Sequence, residues 1–212
     1  FSAYPASRWQ TVFGSDVYQR LTDDKRKLIV VTGHRRENIG EGLRNMCAAV
    51  RALATTHLDW DFVFPIHPNS AVKRVVWPSL AGLANVVLAP PLDYLSFVWL
   101  MSESDLILTD SGGIQEEGPA LGKPVLVMRS TTERPEAIDA GTALLVGTDC
   151  EMISAGVERI LGDEATYSRM VQAEVSYGDG SAAARIAGVL AQYLNETRAA
   201  DRTQHQASVP GS

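Results

Sequence analysis

The sequence predicts a doubly wound α/β domain built on a parallel sheet of about six strands. Short, continuous runs of β-branched and other apolar residues recur along the chain, as is typical of strands buried on both faces. Amphipathic stretches with helical spacing lie between them, so that strands and helices alternate as in βαβ units. The runs are Leu28–Thr32, Phe62–Ile66, Val86–Leu88, Leu106–Leu108, Val125–Met128 and Ala143–Val146.

The stretches between the strands each present one apolar face and several begin at a recognisable cap. Apolar residues from Leu43 to Ala54 recur at helical spacing, and Asp93 is placed to cap the helix that follows it. The predicted helices, in order, are Leu43–Ala54, Ser70–Leu80, Asp93 to about Ser102, Gly113–Leu121, a short turn at Glu136–Asp139, Met152–Leu161, Ala165–Val175 and Ser181–Tyr193.

The pattern divides the chain into three segments. Residues 1–27 are expected to be an irregular lead-in. Pro5 and Gly14 interrupt any regular pattern there, and the charge run 23–27 is typical of a solvated connector. Residues 28–197 are expected to form the α/β domain, including its last helix. Residues 198–212 are polar and are expected to be disordered.

Composition and charge exclude several classes of protein. A net charge of −6 argues against nonspecific binding to nucleic acid or to an anionic membrane. The two cysteines, Cys47 and Cys150, lie far apart without a CxxC pair, so that neither a zinc site nor a disulfide framework is expected. No run approaches about 18 apolar residues, the length of a membrane span. A reduced, cytoplasmic setting fits this composition.

The residues that can carry chemistry follow the carboxyl ends of the predicted strands. Ligands of doubly wound sheets bind at this edge, near the point where the strand order reverses. Histidines, arginines, a glycine-rich turn and a carboxylate are therefore expected to converge there. The segments, taken strand by strand, are Gly33–Asn38, His67–Asn69, Pro90–Phe97, Asp110–Gly113 and Thr131–Glu136.

The run Thr109–Glu117 joins the fourth strand to a helix and is the most informative of these segments. Gly112 and Gly113 allow a ligand close to the backbone, while free amides at a helix start and the Ser111 hydroxyl favour a phosphate. Glu117 is placed to accept hydrogen bonds from ribose hydroxyls. Alternatively, the run is an ordinary strand-to-helix turn capped by Ser111.

Two basic side chains from other loops are expected to overhang this turn. His34 and Arg134 would supply the donors that a diphosphate needs on more than one side. The alternative for His34 is a histidine that fastens its loop to a backbone carbonyl. For His67 the structural alternative is stronger, since His-Pro-Asn is a natural turn that the ring would hold.

The loop after the third strand offers a rigid backbone to the edge of a base, and Phe97 offers an aromatic face, unless Phe97 belongs to the core. Trp99 is expected in the core. Glu116 and Glu117 are neighbours on a helix and point about 100° apart, so that only one of them faces the pocket. No P-loop motif, GxGxxG turn or metal-ligand spacing is present.

These motifs resemble those of the UDP-N-acetylglucosamine 2-epimerase family, non-hydrolysing bacterial type. The matching segments are Thr32–Asn38, Ile66–Asn69, Leu108–Glu117, Gly122–Arg129, Thr132–Glu136 and Tyr177–Gly180. The family resembles GT-B glycosyltransferases, in which two Rossmann-like domains face each other across a cleft. This chain is similar to the C-terminal, nucleotide-binding domain, whose final helix would cross back onto the other domain.

The resemblance implies which residues bind UDP-N-acetylglucosamine. By expected partner, they are His34, Ser111, Gly112, Gly113 and Arg134 for the diphosphate, Glu117 for the ribose, Leu92 and Phe97 for the uracil, and Arg35 and His67 for a second, allosteric substrate molecule. His34 is in addition the candidate catalytic residue.

The family reaction inverts C2 of the sugar by eliminating UDP to a 2-acetamidoglucal and adding it back, which requires neither a redox cofactor nor a metal. The carboxylates expected to move the C2 proton belong to an N-terminal domain absent from this chain. The resemblance therefore implies a chain that binds UDP or UDP-N-acetylglucosamine, is inactive without that domain and belongs to a homodimeric enzyme. The alternatives are a hydrolysing 2-epimerase and a nucleotide-sugar-binding module without catalysis.

Overall fold

The computed structural model describes residues 6–23, 25–173, 177–178 and 180–207. The chain divides into two compact units, Phe1–Ser176 and Tyr177–Ser212. The first unit contains the sheet, and the second contains a long helix.

Across the described part of the first unit, six parallel strands form one sheet, which confirms the predicted fold class. The strand order is β3-β2-β1-β4-β5-β6, so that the direction in which strands are added reverses between β1 and β4. Thr32 lies in register with Thr109 at this point. The strands are β1 Lys27–Thr32, β2 Trp60–Pro65, β3 Val86–Ala89, β4 Leu106–Thr109, β5 Val125–Val127 and β6 Ala143–Leu145.

Helices connect the strands, and each predicted helix of the first unit is present within a few residues. Asp93 caps its helix as expected, since its Oδ1 accepts a hydrogen bond from the Ser96 amide at 3.1 Å. A short 3-10 turn at Arg36–Asn38 follows β1. The helices are α1 Ala6–Phe13, α2 Ser15–Leu21, α3 Glu41–Thr56, α4 Ser70–Leu80, α5 Tyr94–Glu103, α6 Ile114–Ala120, α7 Pro135–Asp139, α8 Cys150–Gly162 and α9 Glu164–Gln172.

The sheet has a hydrophobic core on each face, because its strands are apolar on both sides. The larger core packs α3, α4 and α8 against the sheet, and Cys47 lies buried in it as a free thiol. The smaller core contains residues of α1, α2 and α5. Trp99 is 4% exposed there, which confirms its expected place in the core.

The prediction of an irregular lead-in over residues 1–27 is wrong for residues 6–13 and 15–21, which form α1 and α2. Trp9 stacks on Trp99 with ring centroids 4.7 Å apart, and Phe13 and Tyr18 contact the same ring. Aromatic burial thus stabilises helices that are too short to form alone. Because the packing partner Trp99 lies far away in sequence, the local pattern could not predict these two helices.

The charge run 23–27 is also more than a solvated connector. Arg26 Nε donates to Asp61 Oδ2 at 2.5 Å, and Arg20 of α2 lies 3.0 Å from Asp61 Oδ1. The Asp61 carboxylate in β2 is 1% exposed, and its charge requires such partners. These ion pairs join the lead-in to the sheet.

In the second unit, α10 spans Ala182–Ala207, beyond the predicted end at Tyr193. The helix thus includes residues 198–207, residues 208–212 lie outside the described residues, and the disorder of residues 198–212 stays a prediction. A stripe at helical spacing has side chains 54–67% exposed: Ile186, Val189, Leu190, Tyr193 and Leu194.

None of the helices that the structure describes is both long enough and apolar enough to cross a bilayer.

A close approach between α6 and the sheet generates a stability prediction. A Cβ on Gly118 would lie 2.5 Å from Val125 Cγ2 and 3.1 Å from Ile107 Cδ1, so that Gly118→Ala must displace α6. We expect a loss of about 1–3 kcal/mol in the free energy of unfolding, measured by urea titration. Gly162→Ala is the matched control, because a Cβ there meets no atom within 4 Å. Equal stability of both variants would contradict the close-packing argument.

Candidate functional site

The site lies where the loops after β1 and β4 meet, at the reversal point of the sheet. Thr32 and Thr109 end these two strands, and their hydroxyl oxygens are 2.7 Å apart in a buried hydrogen bond. The Thr109 hydroxyl oxygen also accepts from the Ser111 amide at 3.0 Å. The threonine pair therefore connects both strand ends to the start of the glycine-rich turn.

Asp110 joins the two loops more strongly. Its side chain is fully buried, and its carboxylate accepts hydrogen bonds from the His34 amide at 3.1 Å and the Arg35 amide at 2.9 Å. Asn38 Nδ2 donates to the same carboxylate at 3.1 Å and to the Met128 carbonyl at 3.3 Å. Sequence reasoning placed Asp110 in the turn without a role. A carboxylate directly after a buried strand was the available signal.

A second chain of hydrogen bonds links the turn to the loop after β5. Gln115, fully buried at the start of α6, donates from Nε2 to the Ser111 carbonyl at 3.1 Å. Its Oε1 accepts from the Thr132 hydroxyl at 2.5 Å, and that hydroxyl oxygen accepts from the Arg134 amide at 3.0 Å. Sequence reasoning missed Gln115 and Thr132 because the bond between them joins a helix to a separate loop, 17 residues apart in the chain.

Two adjoining hollows open on this edge and share His34, His67 and Ser111 as a common wall. The first, here called the apolar hollow, has a volume of about 280 Å³ and is otherwise lined by Thr32, Pro65, Ile66, Pro68, Pro91, Leu92, Phe97 and Ile114. The second, here called the basic hollow, has a volume of about 510 Å³ and is otherwise lined by Arg35, Arg36, Glu37 and Asn69.

The shared wall is built on two stacked imidazoles. The His34 and His67 rings lie parallel, with centroids 4.9 Å apart and an interplanar angle of 8°. His67 Nδ1 accepts from the Asn69 amide at 3.2 Å, so that the ring holds its turn as the structural alternative expected. The His34 loop is fastened by the Asp110 carboxylate rather than by a ring bond to a carbonyl. Burial lowers the pKa of the His34 imidazole, and His67 and Arg35 oppose its protonation further, while Asp110 favours it.

Arginines approach the turn from the loop after β1. A Cβ on Gly112 would lie 3.0 Å from Arg35 Nη2, which places the Arg35 guanidinium against the turn. Arg35 and Arg36 both line the basic hollow because the 3-10 turn bends their loop, whereas an extended loop would separate them. Glu37 pairs with Arg129, its Oε1 lying 3.3 Å from Arg129 Nη2. Arg129 also binds Glu133 through two hydrogen bonds and holds the pKa of that carboxyl to about 2.

The carboxylates of α6 take two different positions. Glu116 pairs with Arg134 Nε, which sets this guanidinium beside α6. Glu117 lies towards the turn, its Oε1 3.6 Å from where a Gly113 Cβ would be. Burial, and the neighbouring charge of Glu116, raise the pKa of Glu117. Four residues that were expected at the ligand are not among the described residues that line the two hollows: Gly112, Gly113, Glu117 and Arg134.

Leu92 and Phe97 lie together in the apolar hollow. Both are partly buried and also pack against the smaller core, so that the two interpretations of Phe97 are compatible. Tyr94, by contrast, is 68% exposed. No group of three or more metal-ligating side chains occurs in the part of the chain that the structure describes.

The arrangement combines an apolar hollow containing an aromatic ring with a cationic one, at the carboxyl edge of a parallel sheet. It defines a doubly wound α/β domain of the class that binds nucleotides at its reversal point. Within that class, the chain belongs to the UDP-N-acetylglucosamine 2-epimerase family, whose model matches residues 7–191.

Known proteins agree with this assignment. The UDP-N-acetylglucosamine 2-epimerase of Escherichia coli K12 is 55% identical over 164 residues, which are 77% of this chain and 44% of that protein. A structure described as the S. aureus MnaA–UDP co-structure is 41% identical with a TM-score of 0.79, covering 85% of this chain and 49% of that one. The Neisseria meningitidis UDP-GlcNAc 2-epimerase bound to UDP-GlcNAc is 39% identical with a TM-score of 0.77, covering 88% and 52%. The chain spans about half the length of the curated relatives it matches.

The hydrogen bonds of the buried Gln115 amide are expected to contribute to the stability of the protein. Gln115→Leu removes the bonds to Ser111 and Thr132 and leaves the Thr132 hydroxyl without its acceptor. We expect the free energy of unfolding to fall by about 1–3 kcal/mol in a urea titration. Gln172→Leu, at an exposed position ending α9, is the control. A Gln115→Leu variant as stable as this control would show that the bonds contribute nothing.

Proposed function

We propose that this chain is the UDP-binding domain, the C-terminal one, of a UDP-N-acetylglucosamine 2-epimerase. One observation carries the proposal: the Ser111–Gly113 turn, the His34 ring and the Arg35 guanidinium meet where the sheet reverses direction. Family membership and the two ligand-bound relatives support the choice of nucleotide.

The diphosphate is assigned to the wall shared by the two hollows. Ser111 contributes its hydroxyl, Gly112 and Gly113 contribute backbone amides, and His34 contributes a ring N–H. Arg134 would join them by exchanging its carboxylate partner Glu116 for a phosphate oxygen. These donors would stabilise the charge that develops on UDP as it leaves.

The nucleoside is assigned to the apolar hollow. Leu92 and Phe97 would contact the uracil, with the rigid Pro90–Leu92 loop presenting its backbone to the edge of the base. Glu117 is assigned to the ribose hydroxyls, whose hydrogen bonds its ionised carboxylate would accept. Because its pKa is raised in the free protein, hydrogen bonds from a ribose would favour the ionised form and strengthen as pH rises through that pKa.

The basic hollow is assigned to a second molecule of UDP-N-acetylglucosamine acting as an activator. Arg35 and His67 line it, and Arg36 adds a further cation. The two hollows share the stacked His34–His67 pair, so that ligands in both would touch the same rings. Occupancy of one hollow would therefore alter the affinity of the other.

The proposed reaction removes the C2 proton and expels UDP from C1 to give a 2-acetamidoglucal, then returns UDP to C1 and a proton to the opposite face of C2. His34 is the candidate catalytic group of this chain, as a proton donor to the departing diphosphate. The carboxylates that would exchange the C2 proton are assigned to an N-terminal domain, the main partner of this one. A homodimeric whole enzyme and a cytoplasmic location belong to the same proposal, and the latter fits the two free thiols, Cys47 and Cys150.

Calorimetric titration with UDP, UDP-N-acetylglucosamine and ADP tests the binding assignment. We expect the uridine nucleotides to bind more tightly than ADP, and Ser111→Ala and Arg134→Ala each to weaken UDP binding by about 1–3 kcal/mol, the scale of a lost charge-assisted hydrogen bond. Ser168→Ala and Arg159→Ala, both outside the two hollows, are matched controls and should leave the affinity unchanged. Equal affinity for ADP, or equal losses in the controls, would refute the assignment.

Turnover in heavy water tests the division of labour between domains. Elimination and re-addition must place a solvent deuteron at C2, which proton NMR of the sugar detects. We expect this chain alone to bind UDP-N-acetylglucosamine without exchanging the C2 proton, and a protein that includes the N-terminal domain to exchange it. Exchange by this chain alone would disprove the need for the other domain.

The same experiment separates the alternatives. A hydrolysing enzyme would accumulate free UDP and N-acetylmannosamine, whereas the proposed epimerase retains UDP-linked sugars at equilibrium. A binding module would exchange no deuterium even with the adjoining domain present.

A further inference from the structure

Asp110 presents an electrostatic problem in a site that binds phosphate. A fully buried carboxylate lies directly before Ser111, and like charges repel strongly where water is excluded. The described residues give it no guanidinium or ammonium partner within ion-pair distance. Its direct contacts are the amides of His34 and Arg35 and Asn38 Nδ2, at 2.9–3.1 Å, and Arg129 attracts it from beyond ion-pair distance.

The same hydrogen bonds allow the carboxylate to affect both the orientation and the charge of His34. By accepting the His34 and Arg35 amides, Asp110 sets the direction in which both side chains leave the loop. Its Oδ1 also lies 3.9 Å from His34 Nδ1, which is too far for a hydrogen bond but close enough for electrostatic attraction to a protonated ring.

We propose that Asp110 is a positioning residue of this site: it aims the His34 ring at the diphosphate subsite and balances the positive charge of that ring when a phosphate binds. The proposal deepens the proposed function, because it names what tunes the donor that meets the leaving group. Asp110 itself contacts no substrate.

The surroundings of the His34 ring show why a balancing charge is needed. The charged and titratable groups that face it are Asp110 from the end of β4, His67 from the loop after β2 and Arg35 from its own loop. Burial, His67 and Arg35 all disfavour protonation of the ring, and Asp110 alone among these groups favours it. Without this carboxylate, the ring would remain neutral over a wider pH range and would be a weaker donor to a dianion.

NMR titration of the imidazole resonances, without nucleotide, tests the electrostatic part of the proposal. Asp110→Asn keeps the shape of the side chain and removes its charge, so we expect the His34 titration midpoint to fall by about 1 pH unit. His57, which stacks on Trp60 at the start of β2, is an internal reference that should not move. An unchanged His34 midpoint in a folded Asp110→Asn protein would overturn the proposal.

Asp105→Asn is the matched control. Asp105 precedes β4 at the opposite end of the strand, and its carboxylate likewise accepts a backbone amide, that of Leu28, at 2.8 Å. We expect Asp105→Asn to lower thermal stability while leaving the His34 midpoint and UDP affinity unchanged. An equal shift of the His34 titration midpoint in both variants would mean that Asp110 has only a structural role.

UDP titration tests whether Asp110 affects ligand binding. Asp110→Asn should weaken UDP binding by roughly 10- to 100-fold and Asp105→Asn by less than about twofold. If the wild-type chain binds no UDP, the proposed function fails, whereas the NMR comparison still tests Asp110.

A wild-type measurement keeps the proposal testable if Asp110→Asn does not fold. The His34 and Arg35 amides, which donate to Asp110, should exchange with solvent roughly 100-fold more slowly than the Arg36 and Glu37 amides of the same loop. Equal exchange rates would mean that Asp110 does not hold the loop.

Discussion

The site depends on one buried carboxylate that ties two distant loops together. Asp110 follows β4 and accepts the amides of the loop after β1, some 75 residues earlier in the chain. The adjacent Thr32–Thr109 hydroxyl pair joins the same two strand ends. Because β1 and β4 are the strands between which the sheet order reverses, this connection closes the floor of the crevice that a ligand would occupy. Both hollows are built on that floor.

Charges around the crevice are arranged in two groups. Arg129 and Arg134 are engaged by carboxylates, Glu37 and Glu133 for the former and Glu116 for the latter. Arg35 and Arg36 line the basic hollow, and none of the described residues forms an ion pair with either of them. A bound diphosphate could therefore contact Arg35 and Arg36 directly. It would have to compete with the Glu116 carboxylate for Arg134. Such competition favours anions of high charge over those of low charge.

Local sequence pattern predicted much of the fold but only part of the site. The six β-branched runs and the Asp93 cap are local features, and all are confirmed. The lead-in helices were missed because their stability comes from Trp99, about 90 residues away in sequence. The pairing of Arg134 with Glu116 was not predicted, since an ion pair between two segments is not encoded at any single position; its role at the diphosphate stays a prediction.

The sequence by itself determined the strands, their parallel direction and the edge where polar residues collect, because hydrophobic periodicity and strand-helix alternation act over short segments. Only the tertiary structure decided which of those residues meet. It stacked His67 on His34, brought Arg35 over Gly112, and placed Asp110, Gln115 and Thr132 beneath the turn. The physical reason is that hydrogen bonds and ion pairs between loops depend on distances of a few ångströms, which arise only after the sheet has aligned strands far apart in the chain.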